Sequence, residues 1–107
     1  MRGEVSTIEA FKALSAPVRR QMLARMAHRA EVSQRELREL ADLPKSMASY
    51  HMRILITAGL VESRKRGRDL FYSLRHDAVS QLKAWVDETE RLWTEQLAAF
   101  KAHIEEG

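Results

Sequence analysis

The hydrophobic period of the chain changes abruptly at Gly59, and this change constrains the fold more than any other feature. Upstream of it, apolar residues recur at the spacing of one helix face: Ala48, Met52, Leu55 and Ala58. Downstream, Leu60–Arg66 alternates weakly and Leu70–Leu74 alternates with a period of two; with Gly67 between them, this pattern is typical of a β-hairpin. The sequence therefore predicts a helix, closed by Gly59, that leads directly into a hairpin.

Two short helices are predicted near the N-terminus. A first helix spans Ser6–Leu14. Its apolar residues recur at helical spacing: Ile8, Phe11 and Leu14. Pro17 suits the first turn of a second helix, which runs to about His28. The apolar residues of this second helix share one face: Val18, Met22, Leu23 and Met26.

Capping signals place the next two helices. Ser33 and Glu36 form the S-x-x-E capping box, so a third helix starts there and ends near Ala41. Its inward apolar side chains are those of Leu37 and Leu40. Pro44 suits the first position of the fourth helix, which continues to about Ala58.

Asp77 is a good N-cap for a long last helix over about residues 77–105. Its apolar residues keep a helical period to the end: Leu82, Trp85, Val86, Leu92, Trp93, Leu97, Phe100 and Ile104. A small core cannot cover so long a stripe, and a second subunit can. We expect one domain over residues 1–107 with the order α-α-α-α-β-β-α, a mainly α winged helix-turn-helix with a two-stranded β-wing.

The charge of the chain is divided unevenly. The net charge is +3 over 107 residues, but residues 12–75 carry 14 Lys or Arg against 6 Asp or Glu. Residues 77–107 carry 3 cations against 7 carboxylates. A basic middle segment indicates a polyanionic partner, and the acidic tail indicates a different role.

Several classes of protein are not expected. There is no cysteine, which excludes disulfides, thiolate nucleophiles and cysteine-ligated metal centres. The sequence has neither a signal-peptide pattern nor an apolar run of about 18 residues, so a cytoplasmic protein is expected. It also has no glycine-rich phosphate loop, H-E-x-x-H motif or nucleophile–base pair, so an enzyme is not expected.

The fourth helix has the composition of a DNA-recognition helix. In a helix-turn-helix, the second helix enters the major groove and its N-terminal residues meet the bases. Small serines allow close approach and their hydroxyls bond to bases or phosphates, while cations supply charge. The candidate contacts are Lys45, Ser46, Ser49, Tyr50 and Arg53. A solvated face would suffice for an isolated helix, but the adjoining turn and hairpin favour DNA contact.

The hairpin tip is strongly basic, and it carries four candidate contacts to phosphates or a minor groove: Arg64, Lys65, Arg66 and Arg68. Two alternatives stay open nearby. His51 is as suited to a structural hydrogen bond as to a DNA contact, and Arg19 and Arg20 either touch phosphate or are solvated. Tyr72 is expected to pack in the hairpin with its hydroxyl near the backbone.

Three segments resemble the arsenic-repressor (ArsR/SmtB) family of winged-helix transcription regulators: FKALSAPVRRQML, SMASYHMRILITAGLV and RKRGRDLFYSL. The resemblance implies a homodimeric repressor that releases DNA when an effector binds. Its first and last helices would form the dimer interface, here with Phe11, Trp85, Leu92, Trp93, Leu97 and Phe100. Ala16 replaces the family's usual acidic residue, so Ser15 is expected to cap the second helix instead.

Two recognition helices of such a dimer would enter successive major grooves of a pseudo-palindromic operator in double-stranded DNA, about 10 base pairs or ~34 Å apart. Many members of the family sense metals through cysteine pairs or through a D-x-H group with a distant H-x-x-E on the last helix. This chain has only His103 and Glu106 of the latter, and His28, His51 and His76 are scattered. We therefore expect no metal site and no cofactor. The resemblance is to the metal-independent branch of the family, whose members respond to an organic ligand, to a partner protein, or to nothing beyond their own concentration.

Two other functions stay open. One is a winged-helix module that binds proteins rather than DNA, although the basic hairpin disfavours it. The other is a multidrug-type winged-helix repressor with an organic ligand, which would need a cavity between its dimer helices and its DNA-binding lobe. Trp85, Trp93 and Phe100 suit such a pocket, but aromatic stripes at helical spacing are more often core or dimer interface.

Overall fold

A computed structural model describes residues 7–106, so the predicted start of the first helix at Ser6 lies outside the described residues. The elements are α1 (Thr7–Leu14), α2 (Pro17–Ala27), β1 (Val32–Ser33), α3 (Gln34–Ala41), α4 (Lys45–Thr57), β2 (Val61–Arg66), β3 (Asp69–Leu74) and α5 (His76–Glu106). The predicted class, mainly α with a β-wing, is confirmed.

The sheet has one strand more than the sequence predicts. Its antiparallel order is β1-β3-β2, and β1 pairs through Val32 with Tyr72 and through Ser33 with Phe71. A strand of two residues is too short to show an alternating pattern, which explains why the sequence does not reveal it. The hairpin of β2 and β3 turns at Gly67, whose φ of 60° favours glycine at this place.

The capping signals are only partly confirmed. Ser33 caps α3 as predicted, since its Oγ accepts from the backbone N–H of Glu36 at 3.1 Å. Pro44 is the N-cap of α4 rather than its first helical residue. Asp77 is not an N-cap, because α5 begins one residue earlier, and its carboxylate accepts from Arg75 at 2.6 Å.

The break between α1 and α2 also differs from the expectation. Ala16 is the N-cap of α2 and its side chain offers no hydrogen bond. Ser15 does not cap α2, because its hydroxyl donates to the Lys12 carbonyl at 2.6 Å and so closes the end of α1. The α4 terminus behaves as predicted, since Gly59 adopts a φ of 82° directly after the C-cap.

The core brings every element except the outer part of α5 together. Its fully buried large side chains include Met22, Met26, Leu37, Met52, Leu55, Leu60, Val32 and Val61. From α1 the core receives the buried Ala10 and Ala13 and the partly buried Leu14, while Ile8 and Phe11 remain exposed. This core fixes α3 and α4 against each other and against the hairpin.

Helix α5 extends well past the rest of the molecule. Its 31 residues span about 46 Å, and Ala78 in the first turn is its one buried residue. The radius of gyration is 18.2 Å, against about 13 Å for a compact chain of this length. Within residues 7–106, no helix has the length and apolar character needed to cross a membrane.

Candidate nucleic-acid interface

Three elements meet around a cleft that we call the basic cleft. It has a volume of about 360 Å³ and lies between the start of α3, the start of α4 and the hairpin. The side chains lining it include Arg35, Arg38, Lys45, Ser49, Lys65 and Arg68. Asp69 is the one carboxylate in its lining. The fold therefore joins the predicted recognition helix and the predicted wing into one positively charged surface.

The start of α4 offers both side chains and backbone donors. Lys45, Ser46 and Arg53 are exposed, and Tyr50 is 50% exposed. Pro44 provides no side-chain cap and the first turn carries no acidic residue. The first N–H groups of the helix are therefore left to an external acceptor such as a phosphate. Met47 is also exposed on the same turn, although no pattern in the sequence distinguishes it.

Ser49 is held by a hydrogen-bonded group that the sequence does not reveal. The buried Gln34 donates through Nε2 to Ser49 Oγ at 3.1 Å and to the Tyr72 hydroxyl at 3.2 Å. Tyr72 is buried in the hairpin, its hydroxyl accepts from the Gln34 side chain, and burial raises its pKa. Because Ser49 accepts this bond, its own hydroxyl hydrogen remains to be donated.

The four wing cations are not equivalent. Arg66 forms an ion pair with Glu31 and lies over the Phe71 ring, 5.0 Å from its centroid. Arg64, Lys65 and Arg68 are exposed and form no salt bridge with any residue in the range 7–106. We therefore infer that these three cations are more readily available to an anionic partner than Arg66 is.

Arg19 is neither solvated nor placed to contact a phosphate, the two alternatives that the sequence leaves open. It is only 9% exposed, and its Nε donates to the Ala13 carbonyl at 2.6 Å. Its Nη1 lies 3.0 Å from His51 Nδ1. Arg20 is exposed but donates to the Leu14 carbonyl at 2.7 Å. Both arginines therefore cap the C-terminus of α1, a role that depends on tertiary contact and leaves no local pattern.

Of the two roles considered for His51, the structure shows the structural hydrogen bond. Burial lowers its pKa, and the neighbouring Arg19 charge lowers the pKa further. A guanidinium only donates, so Nδ1 must carry no hydrogen and the imidazole is neutral in this contact. The ring also packs edge-on against Tyr50, with centroids 5.3 Å apart. The recognition helix is thereby joined to the end of α1.

The predicted interface residues lie along the outside of α1 and α5. Phe11 packs on Trp85 within the chain, with ring centroids 5.3 Å apart. The remaining four are exposed on α5: Leu92, Trp93, Leu97 and Phe100. His103 and Glu106 are exposed near the end of the same helix. Within the described part of the chain, no three His, Asp or Glu side chains are grouped to hold a metal ion.

Known proteins share both the sequence pattern and the fold. A family model described as a helix-turn-helix domain matches residues 14–64. An uncharacterized HTH-type transcriptional regulator of Methanocaldococcus jannaschii is 32% identical over 80 residues, which are 75% of this chain and 90% of that protein. The arsenical resistance operon repressor of Bacillus subtilis is 29% identical over 72 residues, or 67% of this chain and 69% of the repressor.

A solved structure of a transcriptional regulator has a similar fold. An ArsR-like transcriptional regulator from Rhodococcus sp. RHA1 has a TM-score of 0.81 at 26% identity, and the match covers 94% of this chain and 91% of that one. All three of these proteins are named as regulators or repressors rather than enzymes.

The helix-turn-helix, the wing and the basic surface that joins them define a winged-helix DNA-binding protein. The relatives place it among transcriptional regulators. The chain belongs to the arsenic-repressor (ArsR/SmtB) family, and its function is that of a DNA-binding transcriptional repressor. The resemblance found in the sequence is confirmed.

Proposed function

We propose that the chain works as a homodimer that reads a pseudo-palindromic operator with two copies of α4. One observation carries this proposal: Lys45 and Ser49 of α4 and the wing cations Lys65 and Arg68 line the same basic cleft. A duplex lying on this surface would meet Lys45, Ser46, Ser49, Tyr50 and Arg53 in its major groove. The wing would meet the backbone or an adjacent minor groove through Arg64, Lys65 and Arg68, with Arg66 less available.

The exposed stripe of α5 supports the dimer. Trp93, Leu97, Phe100 and Ile104 are each more than half exposed, and their spacing of four, three and four residues is that of a coiled-coil seam. Exposed apolar surface of this extent is costly in water and is typical of an interface. A second α5, with Phe11 and Trp85 at the base, would cover it.

The remaining expectations follow from this role. We propose that the protein acts by binding alone, without catalysis, metal or cofactor, in the cytoplasm where its DNA target lies. We also propose one domain over residues 1–107, since α1 and α5 pack on each other and α1 contributes to the shared core.

A second candidate property is the binding of an organic effector, because the structure has an apolar groove. It has a volume of about 360 Å³, within the ordinary range for small-molecule sites. Its apolar lining includes Leu14 of α1, Leu23 of α2, Leu74 of β3 and Leu82 of α5, together with Leu60 directly before β2. This place, between the proposed dimer helices and the DNA-binding lobe, is where the multidrug-type alternative requires a cavity.

The proposal is tested by selecting bound fragments from a genomic DNA pool with the purified protein. We expect enrichment of an inverted repeat with half-sites about 10 base pairs apart. Binding to the selected site should fall steeply with salt and should not change when zinc is added. Weak, salt-sensitive binding without any enriched sequence would contradict a sequence-specific regulator.

Removing side chains from the recognition helix is expected to weaken specific binding. Arg53→Ala and Ser49→Ala should each reduce affinity for the selected operator by about 10-fold or more, because a good base contact contributes ~1–3 kcal/mol of discrimination. Affinity for unrelated DNA should change less. Competition binding with operator and random duplexes measures the difference.

Thr57→Ala is the matched control for these two variants, since Thr57 is exposed at the other end of α4. Thermal unfolding must accompany Ser49→Ala, because this change also leaves the Gln34 amide without one acceptor. Normal operator affinity in both Arg53→Ala and Ser49→Ala, in folded protein, would show that the recognition-helix assignment is wrong.

Wing variants are expected to act on all DNA sequences alike. Arg68→Ala should lower the slope of log affinity against log salt by about 0.9 per subunit, since one phosphate contact is lost in each. Arg66→Ala should have the smaller effect, because Arg66 pairs with Glu31 and Phe71. Salt titrations on random duplex DNA compare the two variants. An unchanged slope in Arg68→Ala would remove this residue from the interface.

A further inference from the structure

We propose that the basic cleft holds one phosphate of the DNA backbone in each subunit, and that Arg38 of α3 is the residue that fixes it. This inference rests on the proposed function, because it assumes that DNA lies across α4 and the wing. It adds a third element, α3, and two residues, Arg35 and Arg38, to a contact set drawn so far from α4 and the hairpin.

The positive charge of the cleft favours the binding of an anion. Five cations line it: Arg35, Arg38, Lys45, Lys65 and Arg68. Asp69 is the only carboxylate among its lining residues. Cations gathered in one concave site repel one another, so the arrangement is unfavourable until a negative group enters. The volume of about 360 Å³ accommodates a phosphate with its neighbouring sugar atoms.

The guanidinium of Arg38 contains a buried donor that has no hydrogen-bond acceptor. Its Nε is buried, and it is the one buried side-chain nitrogen or oxygen within residues 7–106 that lacks a hydrogen bond. Other arginines that are at least partly buried have acceptors: Arg19 bonds Ala13, Arg25 bonds Glu36 and Arg75 bonds Asp77. An unsatisfied buried donor is costly, and such a group calls for an absent acceptor.

A phosphate is the acceptor that fits this guanidinium. A small rotation of a guanidinium lets Nε and one Nη donate in parallel to two phosphate oxygens. The alternatives close by are carboxylates, because Arg38 also borders the α3–α4 turn with Glu39 and Asp42. Neither forms an ion pair with Arg38 among the described residues.

The N-termini of α3 and α4 also favour the binding of a phosphate in the cleft. Both α3 and α4 direct their N-termini, the positive ends of their dipoles, towards the cleft through Ser33, Gln34 and Lys45. Gln34 is already committed to Ser49 and Tyr72, which ties the two cleft walls together. These bonds join the walls of the cleft, and a phosphate bound there would fix the register of α4 in the major groove.

The test neutralises single phosphates of the operator. A set of duplexes is made, each carrying one methylphosphonate per half-site, and binding is measured with wild-type protein and with Arg38→Gln. We expect one position at which neutralisation costs the wild type roughly 10-fold in affinity, as for a charged hydrogen bond. Arg38→Gln should lose a similar factor on the native operator and nothing further at that position.

Two further variants control for charge and folding. Arg38→Lys keeps the charge without the paired donors and should recover part of the affinity. Lys101→Gln removes an exposed cation far along α5 and should keep the wild-type response to every methylphosphonate. Equal losses for wild type and Arg38→Gln at every position would overturn the inference. So would binding of inorganic phosphate to the free protein without coupling to any operator phosphate.

These outcomes are separable from failure of the proposed function. If the wild type enriches no operator, the proposed function fails before any phosphate is tested. If the wild type binds the operator and Arg53→Ala weakens this binding, the proposed function stands. If Arg38→Gln then responds to every methylphosphonate as the wild type does, only the phosphate site is wrong.

Discussion

Replacing Trp93 and Leu97 together by alanine is expected to convert the proposed dimer into monomers and to lower operator affinity by about 100-fold or more. The two side chains are 64% and 59% exposed in the single chain, so they add little to its own core. Buried in a dimer, each contributes at least ~1.5 kcal/mol, and each occurs twice. A monomer also loses the advantage of binding two half-sites at once, which is worth a factor of 10²–10⁴, order of magnitude.

Sedimentation equilibrium measures the association state, and operator titration measures the affinity. The matched control is Glu88→Ala with Arg91→Ala, a pair that lies on α5 but away from the seam of Trp93, Leu97, Phe100 and Ile104. It should remain dimeric. Circular dichroism should show part of α5 losing helicity in the monomer, because an isolated helix end has little to support it. A double variant at positions 93 and 97 that stays dimeric would place the interface elsewhere.

The exposed apolar stripe of α5 illustrates what a sequence can reveal. Trp93, Leu97 and Phe100 are recognisable because a regular apolar period continues beyond any core that 107 residues can build. The same holds for Gly59, where the period changes and the helix ends. Periodicity is a local property of the chain, and these features depend on local structure alone.

Other parts of the site depend on residues that are distant in sequence. Gln34 meets Tyr72 across 38 positions, and Arg19 meets His51 across 32. Strand β1 exists only because β3 supplies its partner. Such pairings leave no spacing rule along the chain, so composition and periodicity predict a basic surface but not which of its side chains are already engaged.

Arg66 shows the same limit within the wing. As one of four cations in five residues it is indistinguishable from Arg68 in the sequence. The fold places it beside Glu31 and the Phe71 ring, which gives it an internal role. Arg38 is the reverse case, since its helical position marks it as a solvated cation but packing leaves its Nε buried and unpaired.

Arg19→Ala is expected to be the most destabilising single change proposed for the DNA-binding lobe. Arg19 joins three elements, since it lies on α2, donates to the Ala13 carbonyl of α1 and contacts His51 of α4. Hydrogen bonds from a charged donor contribute about 1.5–3 kcal/mol each, so a loss of ~3 kcal/mol in the free energy of unfolding is expected. Urea denaturation measures it.

Arg20→Ala is the matched control for this change. The residue is adjacent and also an arginine, but it is exposed and makes one bond, to the Leu14 carbonyl. Its removal should cost ~1 kcal/mol or less. Comparable losses for the two variants would show that Arg19 has no special role between α1 and the recognition helix.

The contact with His51 adds a pH dependence whose sign follows from the lowered pKa. The unfolded chain protonates this histidine near its ordinary pKa of 6.5, whereas in the folded chain burial and then the Arg19 charge hold the pKa lower. The unfolded state therefore binds more protons in that interval, and the free energy of unfolding falls as the pH falls below about 6.5. Stability from this source is complete above that pH.

His51→Gln separates this effect from all other titrating groups. A glutamine oxygen still accepts from Arg19 but takes up no proton, so the variant should lose less stability than the wild type between pH 7.5 and pH 5.5, the two conditions chosen for urea denaturation. In Arg19→Ala the decline should also be smaller, because the Coulomb contribution is gone while burial remains. Parallel declines in wild type and His51→Gln would mean that protonation of His51 does not disturb the link from α1 to the recognition helix.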